Sequence, residues 1–409
     1  MEERDHKKLG PELGLFYIDQ TVGKGLPMFL PKGATVKREL EKFVIEEEVK
    51  RGYLHVHTPD LARLELYEKS GHYPHYKDSM YAPIETDGDK FMLRPMTCPH
   101  HFQLYLHEPH SYRELPMRIG ELAQLYRYEQ SGELMGLQRV RTFCLADAHI
   151  ICASEEQAAE EVSGALDLIE HMTSVFDLQL GRDYRYRLSL GDRSNSEKYY
   201  KNDAAWEKSE DLLRKVMHKR GCDFEEAKDE AAFYGPKIDI QMKNVNGKED
   251  TAFTVQYDFC MPDRFDLTYV AEDGSKKRCF VVHRSSVGAI ERIMAFLIEK
   301  YAGAFPLWLA PVQVAVLPVG EAHKARAQEI FAELNKHNIR PEIFADESLG
   351  KRIREVKTQK IPATFVIGDK EAEAGTVSIE NNRDGKKMVE ALDRAIGWLL
   401  ERIKERTNI

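Results

Sequence analysis

Three side chains that favour soft metal ions stand where turns or strands are expected. Cys98 lies in RPMTCPHHF, His149 in LADAHII and His283 in CFVVHRSS. One cysteine with two histidines is a recognised zinc ligand set, and three protein ligands leave a coordination position for a substrate. His100 and His101 stand near Cys98 and compete as ligands. A buried thiol with two core histidines would give the same pattern, so a metal site and a structural cluster both stay open.

Arginines are the phosphate-binding groups that this sequence offers. It contains neither GxxxxGK[ST] nor a GxGxxG that opens a helix, so neither a P-loop nor a dinucleotide-binding loop is supported. Arg127 and Arg139 lie on the two arms of an expected hairpin, and Arg292 lies near the start of the expected helix GAIERIMAFLIEKY. The guanidinium fork suits phosphate oxygens, and a helix N-terminus adds partial positive charge. Surface ion pairing is the alternative for each arginine, but Arg292 follows Gly288 in an otherwise apolar segment.

Two further segments place polar side chains beside a turn or on one strand face. FYGPKIDI puts Tyr234 and Lys237 around a Gly-Pro turn, and TVQYDF puts Gln256 and Asp258 on one face of a strand. A lysine and a tyrosine beside a turn are usually solvated, whereas Gln256 in an apolar strand needs a partner if it is buried.

Histidines and tyrosines also cluster in GHYPHYKDSMY, which contains His72, His75 and Lys77. Such a cluster can contact RNA by stacking and phosphate contacts. A polar lid over a site is the alternative, and it is slightly favoured.

Helices and antiparallel strands are expected to position these residues. An apolar stripe runs from Val36 to Val44 in a helix that ends at Gly52, and Ser154 with Gln157 forms a capping box that opens another helix. Two hairpins are expected, ELAQLYRYE with LQRVRTFCLADAHII and FDLTYV with KKRCFVV. This mixture predicts an α+β domain with a central antiparallel sheet.

The last hundred residues alternate apolar runs with helical patterns. Strands are expected at 312–317, 340–344, 363–367 and 375–379, with helices near 322–337 and 350–358. A final helix is expected to carry Met388, Leu392, Leu399 and Ile403 on one stripe. This pattern predicts a small α/β domain with a mixed sheet, and the Pro-rich stretch before it sets the boundary between residues 1–305 and 306–409.

The composition is that of a globular protein with two or three domains: 409 residues, 42% apolar and 31% charged. The net charge of −9 does not indicate a global nucleic-acid or anionic-membrane binder. Six cysteines without a CxxC pair favour reduced thiols in the cytoplasm. Residues 301–320 are uncharged but contain Pro306, Pro311 and Pro318, which predicts a linker and one buried strand, Val312 to Leu317, rather than a membrane span.

Taken together, these segments resemble the bacterial-type threonyl-tRNA synthetases, a family of class II aminoacyl-tRNA synthetases. RELEKFVIEEEVKRGYLHVHTPDL, LYRYEQSGELMGLQRVRTF and VGAIERIMAF look like the three class motifs, and RPMTCPHH, ADAHI, FYGPKID and VVHR look like the threonine-specific segments. The resemblance runs from RDHKKLG to the last helix. It implies an α+β fold, with a class II antiparallel-sheet catalytic domain in residues 1–305, a smaller α/β anticodon-binding domain in 306–409, and no N-terminal editing domain in this sequence.

The resemblance implies a binding site for ATP. Arg127 would hold the α-phosphate and Glu129 would meet the adenine end. Phe143 would stack on the adenine, with Arg292 on its other side, and Arg139 would reach the γ-phosphate. Mg²⁺ would bridge the phosphates, and Arg127 and Arg292 would be catalytic.

The resemblance also implies how threonine would be chosen over valine, which has nearly the same shape. Cys98, His149 and His283 would hold one zinc ion per subunit, and the amino and hydroxyl groups of threonine would complete its shell. A site built around a hydroxyl rejects an analogue that lacks it. His72 is the candidate for the proton acceptor in the transfer step. The other residues implied to contact threonine are Asp147, Tyr234, Lys237 and Gln256.

Some positions depart from the family pattern. Leu145 and Ala146 replace polar residues, Thr251 stands in EDTAF where a Trp-Gln pair is common, and Ala289 stands where serine is usual. In the family, the changes at 145 and 146 remove a side chain that often helps to orient the substrate, and those at 251 and 289 alter the outer wall of the pocket.

In the anticodon-binding part, GKRIRE is implied to supply Lys351, Arg352 and Arg354 to the phosphates, and Glu371 is implied to accept hydrogen bonds from a base. Glu380 stands where relatives often have arginine.

The expected function is that of a cytoplasmic, homodimeric, zinc-dependent threonine-tRNA ligase without membrane association. Its partners would be L-threonine, ATP with Mg²⁺, and tRNA(Thr). One alternative is a class II synthetase for proline or serine. Another is a non-catalytic synthetase-like protein that binds RNA.

Overall fold

The computed structural model describes residues 2–407, which form two compact units. One unit comprises the described residues within Met1–Tyr17, Met28–Leu40 and Met294–Ile409, and the other comprises Ile18–Pro27 and Glu41–Ile293. The division into residues 1–305 and 306–409 stays a prediction. Over residues 2–407, no helix has both the length and the apolar composition that a bilayer span requires.

The helix that follows Ser154 begins as its sequence predicts. The Ser154 hydroxyl accepts a hydrogen bond from Gln157 N at 3.2 Å, and Gln157 Oε1 accepts one from Ala153 N at 2.7 Å. In chain order the α-helices are α1 (His6–Glu12), α2 (Pro31–Lys50), α3 (Leu64–Ser70), α4 (His72–His75), α5 (Cys98–Tyr105), α6 (Glu155–Val175), α7 (Asp203–Lys219), α8 (Met261–Phe265), α9 (Ile290–Tyr301), α10 (Lys324–Lys336), α11 (Leu349–Thr358), α12 (Asp369–Ala374) and α13 (Leu392–Glu405).

The strands are mostly short, and the four that have ten or eleven residues all lie in the large sheet. In chain order they are β1 (Phe16–Ile18), β2 (Pro27–Phe29), β3 (Leu54–His55), β4 (Leu61–Arg63), β5 (Ile84–Thr86), β6 (Asp89–Leu93), β7 (Met117–Tyr126), β8 (Thr142–Cys152), β9 (Tyr184–Ser189), β10 (Phe224–Ala227), β11 (Lys237–Lys243), β12 (Glu249–Asp258), β13 (Thr268–Val270), β14 (Lys276–Arg278), β15 (Phe280–Ala289), β16 (Val314–Pro318), β17 (Pro341–Ile343), β18 (Ala363–Ile367), β19 (Thr376–Asn381) and β20 (Lys387–Ala391).

The large sheet has the strand order β10-β9-β11-β12-β15-β8-β7-β3. All pairings from β9 to β7 are antiparallel, and only the outer pairs β10/β9 and β3/β7 are parallel. The predicted central antiparallel sheet is therefore confirmed.

The register of this sheet aligns four polar residues in one row. Lys237 on β11 lies opposite Gln256 on β12, Gln256 lies opposite His283 on β15, and His283 lies opposite His149 on β8. Directly opposed residues share a face of the sheet, so these side chains point the same way.

The alternate residues of the same strands point to the other face. Ala148, Ile150 and Val282 are fully buried, and α6 packs across β8, β12 and β15. One face of the sheet is thus packed by a helix, which leaves the polar face to form a site.

The first predicted hairpin is confirmed as β7/β8, but its connection is longer than the sequence suggested. Residues 127–141 form the loop, because Leu137 and Val140 turn into the wall of a cavity instead of extending β8. The second predicted hairpin is confirmed as β13/β14, and the apolar residues after it belong to β15.

The five-stranded sheet of the other unit has the order β17-β16-β18-β19-β20. β16 pairs parallel with β17 and β18, whereas β18/β19 and β19/β20 are antiparallel, so the predicted mixed sheet is confirmed. The predicted final helix is correct from Leu392, but placing Met388 on it was wrong. Met388 pairs with Ile379 on β19, so it lies in the edge strand β20. Sequence periodicity also missed α12.

Candidate active site

A cavity of about 280 Å³ opens on the polar face of the large sheet. Its walls come from β8, β12 and β15, the loop after β7, and the segment that leads into α5. His72 and Lys237 do not line it. The residues predicted for the site that do line it are Cys98, Arg127, Glu129, Arg139, Phe143, Asp147, His149, Tyr234, Gln256, His283 and Arg292.

The three predicted metal ligands meet at the inner end of this cavity. His149 and His283 come from neighbouring strands, and Cys98 is the first residue of α5. One potential ligand atom from each lies within 4.8 Å of the other two, and all three residues are buried.

The hydrogen bonds of the two histidines determine which ring nitrogens can face an ion. His149 Nδ1 lies 2.8 Å from His101 Nδ1, and His283 Nε2 lies 2.8 Å from Asp258 Oδ2. His149 Nε2 and His283 Nδ1 are therefore the remaining nitrogens. A ligating histidine in proteins typically binds the metal through one nitrogen and a carboxylate or another polar group through the other.

The charge state of the cluster also suits a cation. Burial raises the pKa of the Cys98 thiol well above its usual value, and the nearby Asp147 and Asp258 add to that effect. Burial lowers the pKa of His149, as do the neighbouring His283 and His101. A neutral imidazole is the form that binds a metal, and a bound cation stabilises the thiolate. The residues present therefore fit zinc.

Arg127 and Phe143 lie together in the outer part of the cavity. The Arg127 guanidinium sits over the Phe143 ring, 5.2 Å from its centroid, and its Nε donates to Pro95 O at 3.3 Å. Burial lowers the pKa of Arg127, yet arginine remains charged at any ordinary pH. Within the cavity, the Arg127 guanidinium thus lies against one face of the Phe143 ring.

Arg292 is held by backbone carbonyls across the same cavity. Its Nε donates to Gln138 O at 2.9 Å, and its Nη1 donates to Thr251 O. Arg139 Nε donates to Glu129 Oε2 at 2.9 Å. Fixed guanidinium groups with exposed donor edges are a preorganised setting for phosphate oxygens.

Asp147, Tyr234 and Gln256 lie near the metal-ligand cluster. Burial raises the pKa of Asp147. The Tyr234 hydroxyl donates to Gln256 Oε1, and the Tyr234 ring stacks on His283 with centroids 4.8 Å apart. The half-buried Gln256 amide thus has a hydrogen-bond partner.

Lys237 stands in the same register row but bonds away from the cavity. Its Nζ donates to Asp239 Oδ2 at 2.6 Å, and Arg187 Nη2 donates to the same oxygen at 2.9 Å. The strand register sets the face of the sheet on which Lys237 lies, and the hydrogen bond to Asp239 sets the position of its ammonium group.

His72 lies behind the metal-ligand cluster. Its side chain is fully buried, its Nδ1 lies 2.7 Å from Ser70 Oγ, and its Nε2 lies 3.7 Å from Cys98 Sγ. Burial, with smaller effects from His283 and Arg264, lowers the pKa of His72 to about 3. The predicted lid segment therefore places a neutral histidine against the proposed thiolate ligand.

Sequence reasoning missed Arg284, which lines the cavity beside His283. It also gave no role to Asp258 and treated His101 only as a rival ligand. Asp258 had been placed on the face of Gln256, and His101 lies three residues after Cys98 on α5. The missing information was tertiary: the pairing of β12 with β15 brings Asp258 near His283, and the packing of α5 against β8 brings His101 to His149.

The predicted anticodon residues lie on α11 and near the start of α12. Arg354 is exposed, whereas Arg352 is buried and donates to the carbonyls of Pro318, Phe344 and Val319. Glu371 Oε2 accepts from Gly368 N at 3.0 Å, which caps α12.

The glutamate that departs from the family pattern in this unit has basic neighbours. Glu380 lies 3.2 Å from Lys387 Nζ and 3.8 Å from Lys357 Nζ. Two positive charges therefore surround this carboxylate.

Two protein-family models match this chain. One is described as the tRNA synthetase class II core domain (G, H, P, S and T) and matches residues 81–301. The other is described as an anticodon binding domain and matches residues 313–402.

Similar curated proteins include the threonine–tRNA ligase of Exiguobacterium sp., which is 47% identical over 408 residues. The threonine–tRNA ligase of Geobacillus kaustophilus is 47% identical over 407 residues. The alignments cover 100% and 99% of this chain, but only 62% of the length of each relative.

Similar solved structures include the RNA binding domain of threonyl-tRNA synthetase from Cryptosporidium parvum, with a TM-score of 0.91 and 32% identity. That match covers 97% of this chain and 98% of the other. The putative threonyl-tRNA synthetase ThrRS-1 from Aeropyrum pernix gives a TM-score of 0.85 at 27% identity, over 98% of this chain and 97% of the other.

Proposed function

The chain belongs to the class II aminoacyl-tRNA synthetase family of the G, H, P, S and T type, and we propose that it is a threonine–tRNA ligase. It would activate L-threonine with ATP to threonyl-adenylate and pyrophosphate, and then transfer threonine to the 3′ end of tRNA(Thr). The predicted fold class is confirmed, because both family models match and the sheets are those of a class II core and a smaller α/β domain. The observation that carries the proposal is the Cys98, His149 and His283 cluster, which lies in the same cavity as four arginines, Arg127, Arg139, Arg284 and Arg292.

Threonine would be selected at the inner end of the cavity. Cys98, His149 and His283 would hold Zn²⁺, which when bound supplies a Lewis acid for the amino and hydroxyl groups of the substrate. Valine lacks that hydroxyl and would leave the site unsatisfied. Asp147 would accept hydrogen bonds from the substrate amino group.

The remaining contacts to threonine would come from β12 and the turn before β11. Tyr234 and Gln256 would close the side of the pocket that faces His283. Lys237 would contribute indirectly, by holding Asp239 through the hydrogen bond that its Nζ donates.

ATP would occupy the outer part of the cavity. Class II synthetases use Mg²⁺ with ATP, and the magnesium would lie on the phosphates. A carboxylate oxygen of threonine attacks the α-phosphorus, the bond to the bridging oxygen breaks, and pyrophosphate leaves. Arg127 and Arg292 would stabilise the charge that develops on the phosphoryl oxygens.

The outermost ATP contacts would follow the loop after β7. Phe143 would stack on the adenine and Glu129 would meet its amino edge. Arg139 would exchange its ion pair with Glu129 for the γ-phosphate.

Transfer to tRNA would need a proton acceptor near the aminoacyl group, and His72 is our candidate. In the anticodon-binding part, Arg354 would contact phosphate and Glu371 a base. We place the protein in the cytoplasm, where these substrates are found.

We propose a homodimer that forms through α2 and the edge strand β3. Ile45, Val49 and Leu54 are apolar and exposed there, Val49 by 53% and Leu54 by 57%. An exposed strand edge with apolar neighbours is a ready surface for a second copy.

The test is amino-acid-dependent ATP–pyrophosphate exchange with threonine, serine, valine and proline, on metal-loaded and metal-depleted protein. We expect exchange with threonine, less with serine, none with valine or proline, and loss of the threonine signal after metal removal. Exchange with proline or serine alone would favour a different class II specificity. RNA binding without any exchange would favour the non-catalytic alternative.

A further inference from the structure

We propose that His101 and Glu121 are positioning residues that fix the tautomer of His149, so that its Nε2 lone pair faces the metal-ligand cluster. This inference rests on the metal site of the proposed function. It concerns residues behind the ligands, to which nothing in the sequence assigned this role.

The three groups form a continuous chain in the protein interior. His101 Nδ1 lies 2.8 Å from His149 Nδ1, and His101 Nε2 lies 3.1 Å from Glu121 Oε2. The two rings meet edge to face, with centroids 4.8 Å apart and planes at 81°. His101 is fully buried and Glu121 nearly so, so water does not compete for these bonds.

Helix α5 and strand β7 bring His101 and Glu121 next to His149. Cys98 and His101 are three residues apart on α5, so one helix turn carries both a proposed ligand and the support of another. Glu121 lies opposite Asp147 on β8, two residues from the row that contains His149. The support is therefore built into the same sheet register as the ligands.

Glu121 sets the direction in which the hydrogen bonds among Glu121, His101 and His149 are donated. Its Oε1 accepts from Thr58 N at 3.0 Å and from Arg94 Nη1 and Nη2 at 3.3 and 3.2 Å, and its Oε2 accepts from Thr58 Oγ1 at 2.7 Å. A carboxylate only accepts, so His101 donates to Glu121 from Nε2.

The 2.8 Å contact between the two Nδ1 atoms needs one donor and one acceptor. His101 Nδ1 then carries a lone pair and accepts from His149 Nδ1–H. His149 Nε2 is left with the lone pair, on the side available to the cluster. Such support typically changes metal affinity about 10- to 100-fold.

An isosteric substitution of Glu121 should reverse the direction in which these hydrogen bonds are donated. In Glu121→Gln, three donors face the Oε1 position and hold the amide oxygen there. The amide NH₂ then replaces Oε2 and donates to His101 Nε2, which puts a proton on His101 Nδ1 facing His149 Nδ1. His149 must move its proton to Nε2, where it blocks the metal.

The test is titration of the metal-depleted full chain with Co²⁺, followed by the thiolate-to-metal absorption band, with competition by a chelator. We expect Glu121→Gln and His101→Leu to weaken Co²⁺ binding about 10- to 100-fold. His101→Asn places an amide oxygen near the old Nδ1 position and should bind within about 3-fold of the parent. It should also rescue the double variant Glu121→Gln/His101→Asn, because the asparagine can accept from His149 without Glu121.

The matched control is His110→Gln, since His110 is buried and lies 2.8 Å from Glu114 but does not touch a ligand. It should leave Co²⁺ affinity unchanged. Normal affinity in Glu121→Gln and His101→Leu would overturn the inference and leave the proposed function standing. Equal losses in His110→Gln, or no rescue by His101→Asn, would also overturn it. Absence of the thiolate band in the parent protein would instead overturn the metal site itself.

Discussion

Glu48 and Arg284 form an ion pair that is closed off from solvent. Arg284 Nη1 donates to Glu48 Oε1 at 2.7 Å, Ser286 Oγ donates to the same oxygen at 2.7 Å, and His55 Nε2 lies 2.9 Å from Glu48 Oε2. The Arg284 guanidinium also stacks on Tyr53, 4.1 Å from the ring centroid. Since Arg284 follows His283 and lines the cavity, α2 supports the floor of the active site through this pair.

We expect Glu48→Ala to lower the free energy of unfolding by about 3–5 kcal/mol, because it leaves the Arg284 charge buried without its partner. Asp211→Ala is the control, since Asp211 pairs with Lys215 on the exposed side of α7. It should change stability by less than about 1 kcal/mol. Urea unfolding measures both, and equal effects of the two variants would contradict the role given to the buried pair.

Removing the thiol ligand should abolish threonine activation. Cys98→Ala is expected to lose the bound metal and to lower threonine-dependent pyrophosphate exchange by more than about 10²-fold, because the hydroxyl of threonine loses its binding partner. Metal content and exchange are measured on the same preparation. Cys222→Ala, which changes a free and only half-buried cysteine, should retain both. A metal-free Cys98→Ala variant with full exchange would refute the selective role of the ion.

Replacing His72 should separate the two steps of the reaction. We expect His72→Asn to slow transfer to tRNA about 10²-fold, as loss of a general base does, while adenylate formation stays near normal. Single-turnover transfer from preformed adenylate and pyrophosphate exchange measure the two steps. His75→Gln, a change to an exposed neighbour, serves as the control. If both steps fall together in His72→Asn, His72 supports Cys98 and is not the proton acceptor.

The acid stability of the chain should depend on Glu47. Burial alone would raise the pKa of this carboxyl, but hydrogen bonds from Lys50 and Arg51 and the charge of His171 hold it at about 2, below the usual 4.5. The folded state therefore binds the proton less tightly than the unfolded state. The contribution of Glu47 to the free energy of unfolding is full above about pH 4.5 and is lost as the pH falls towards 2. Unfolding curves of the parent and Glu47→Gln should thus converge over that range, whereas Glu46→Gln, at an exposed position, should follow the parent.

Binding of tRNA should depend on Arg354. We expect Arg354→Gln to weaken tRNA binding several-fold and to reduce the salt slope by about 1, because one phosphate contact is lost. Pyrophosphate exchange should be unaffected. Lys404→Gln removes an exposed charge from α13 and should leave tRNA binding unchanged. An unchanged salt slope in Arg354→Gln would place the tRNA elsewhere.

The sequence predicted the elements well where local signals define them. Ser154 opens α6, and the alternation in β7 and β8 predicted their pairing, because both patterns depend on residues close in the chain. It failed where the tertiary structure decides. Met388 fits a helical stripe, yet it pairs with Ile379 in a strand, and Leu137 and Val140 look like strand residues but form a cavity wall.

The candidate site shows the same limit. Residue types pointed to Cys98, His149 and His283, but no local pattern could show that Asp258 holds His283 or that Arg284 reaches Glu48. Asp258 and His283 meet across paired strands at a sequence separation of 25 residues, and Arg284 meets a helix residue more than 200 positions away.

The ligand cluster is drawn from distant parts of the chain, with His283 contributed by the pairing of β15 with β8. A ribosome makes Cys98 and His149 long before His283, and two ligands do not hold a zinc ion as three do. A zinc ion held by all three proposed ligands would therefore be captured only after synthesis has passed residue 283 and the two strands have paired. Metal uptake would thus come late in the synthesis and folding of each molecule. A bound ion would indicate that the central sheet has formed.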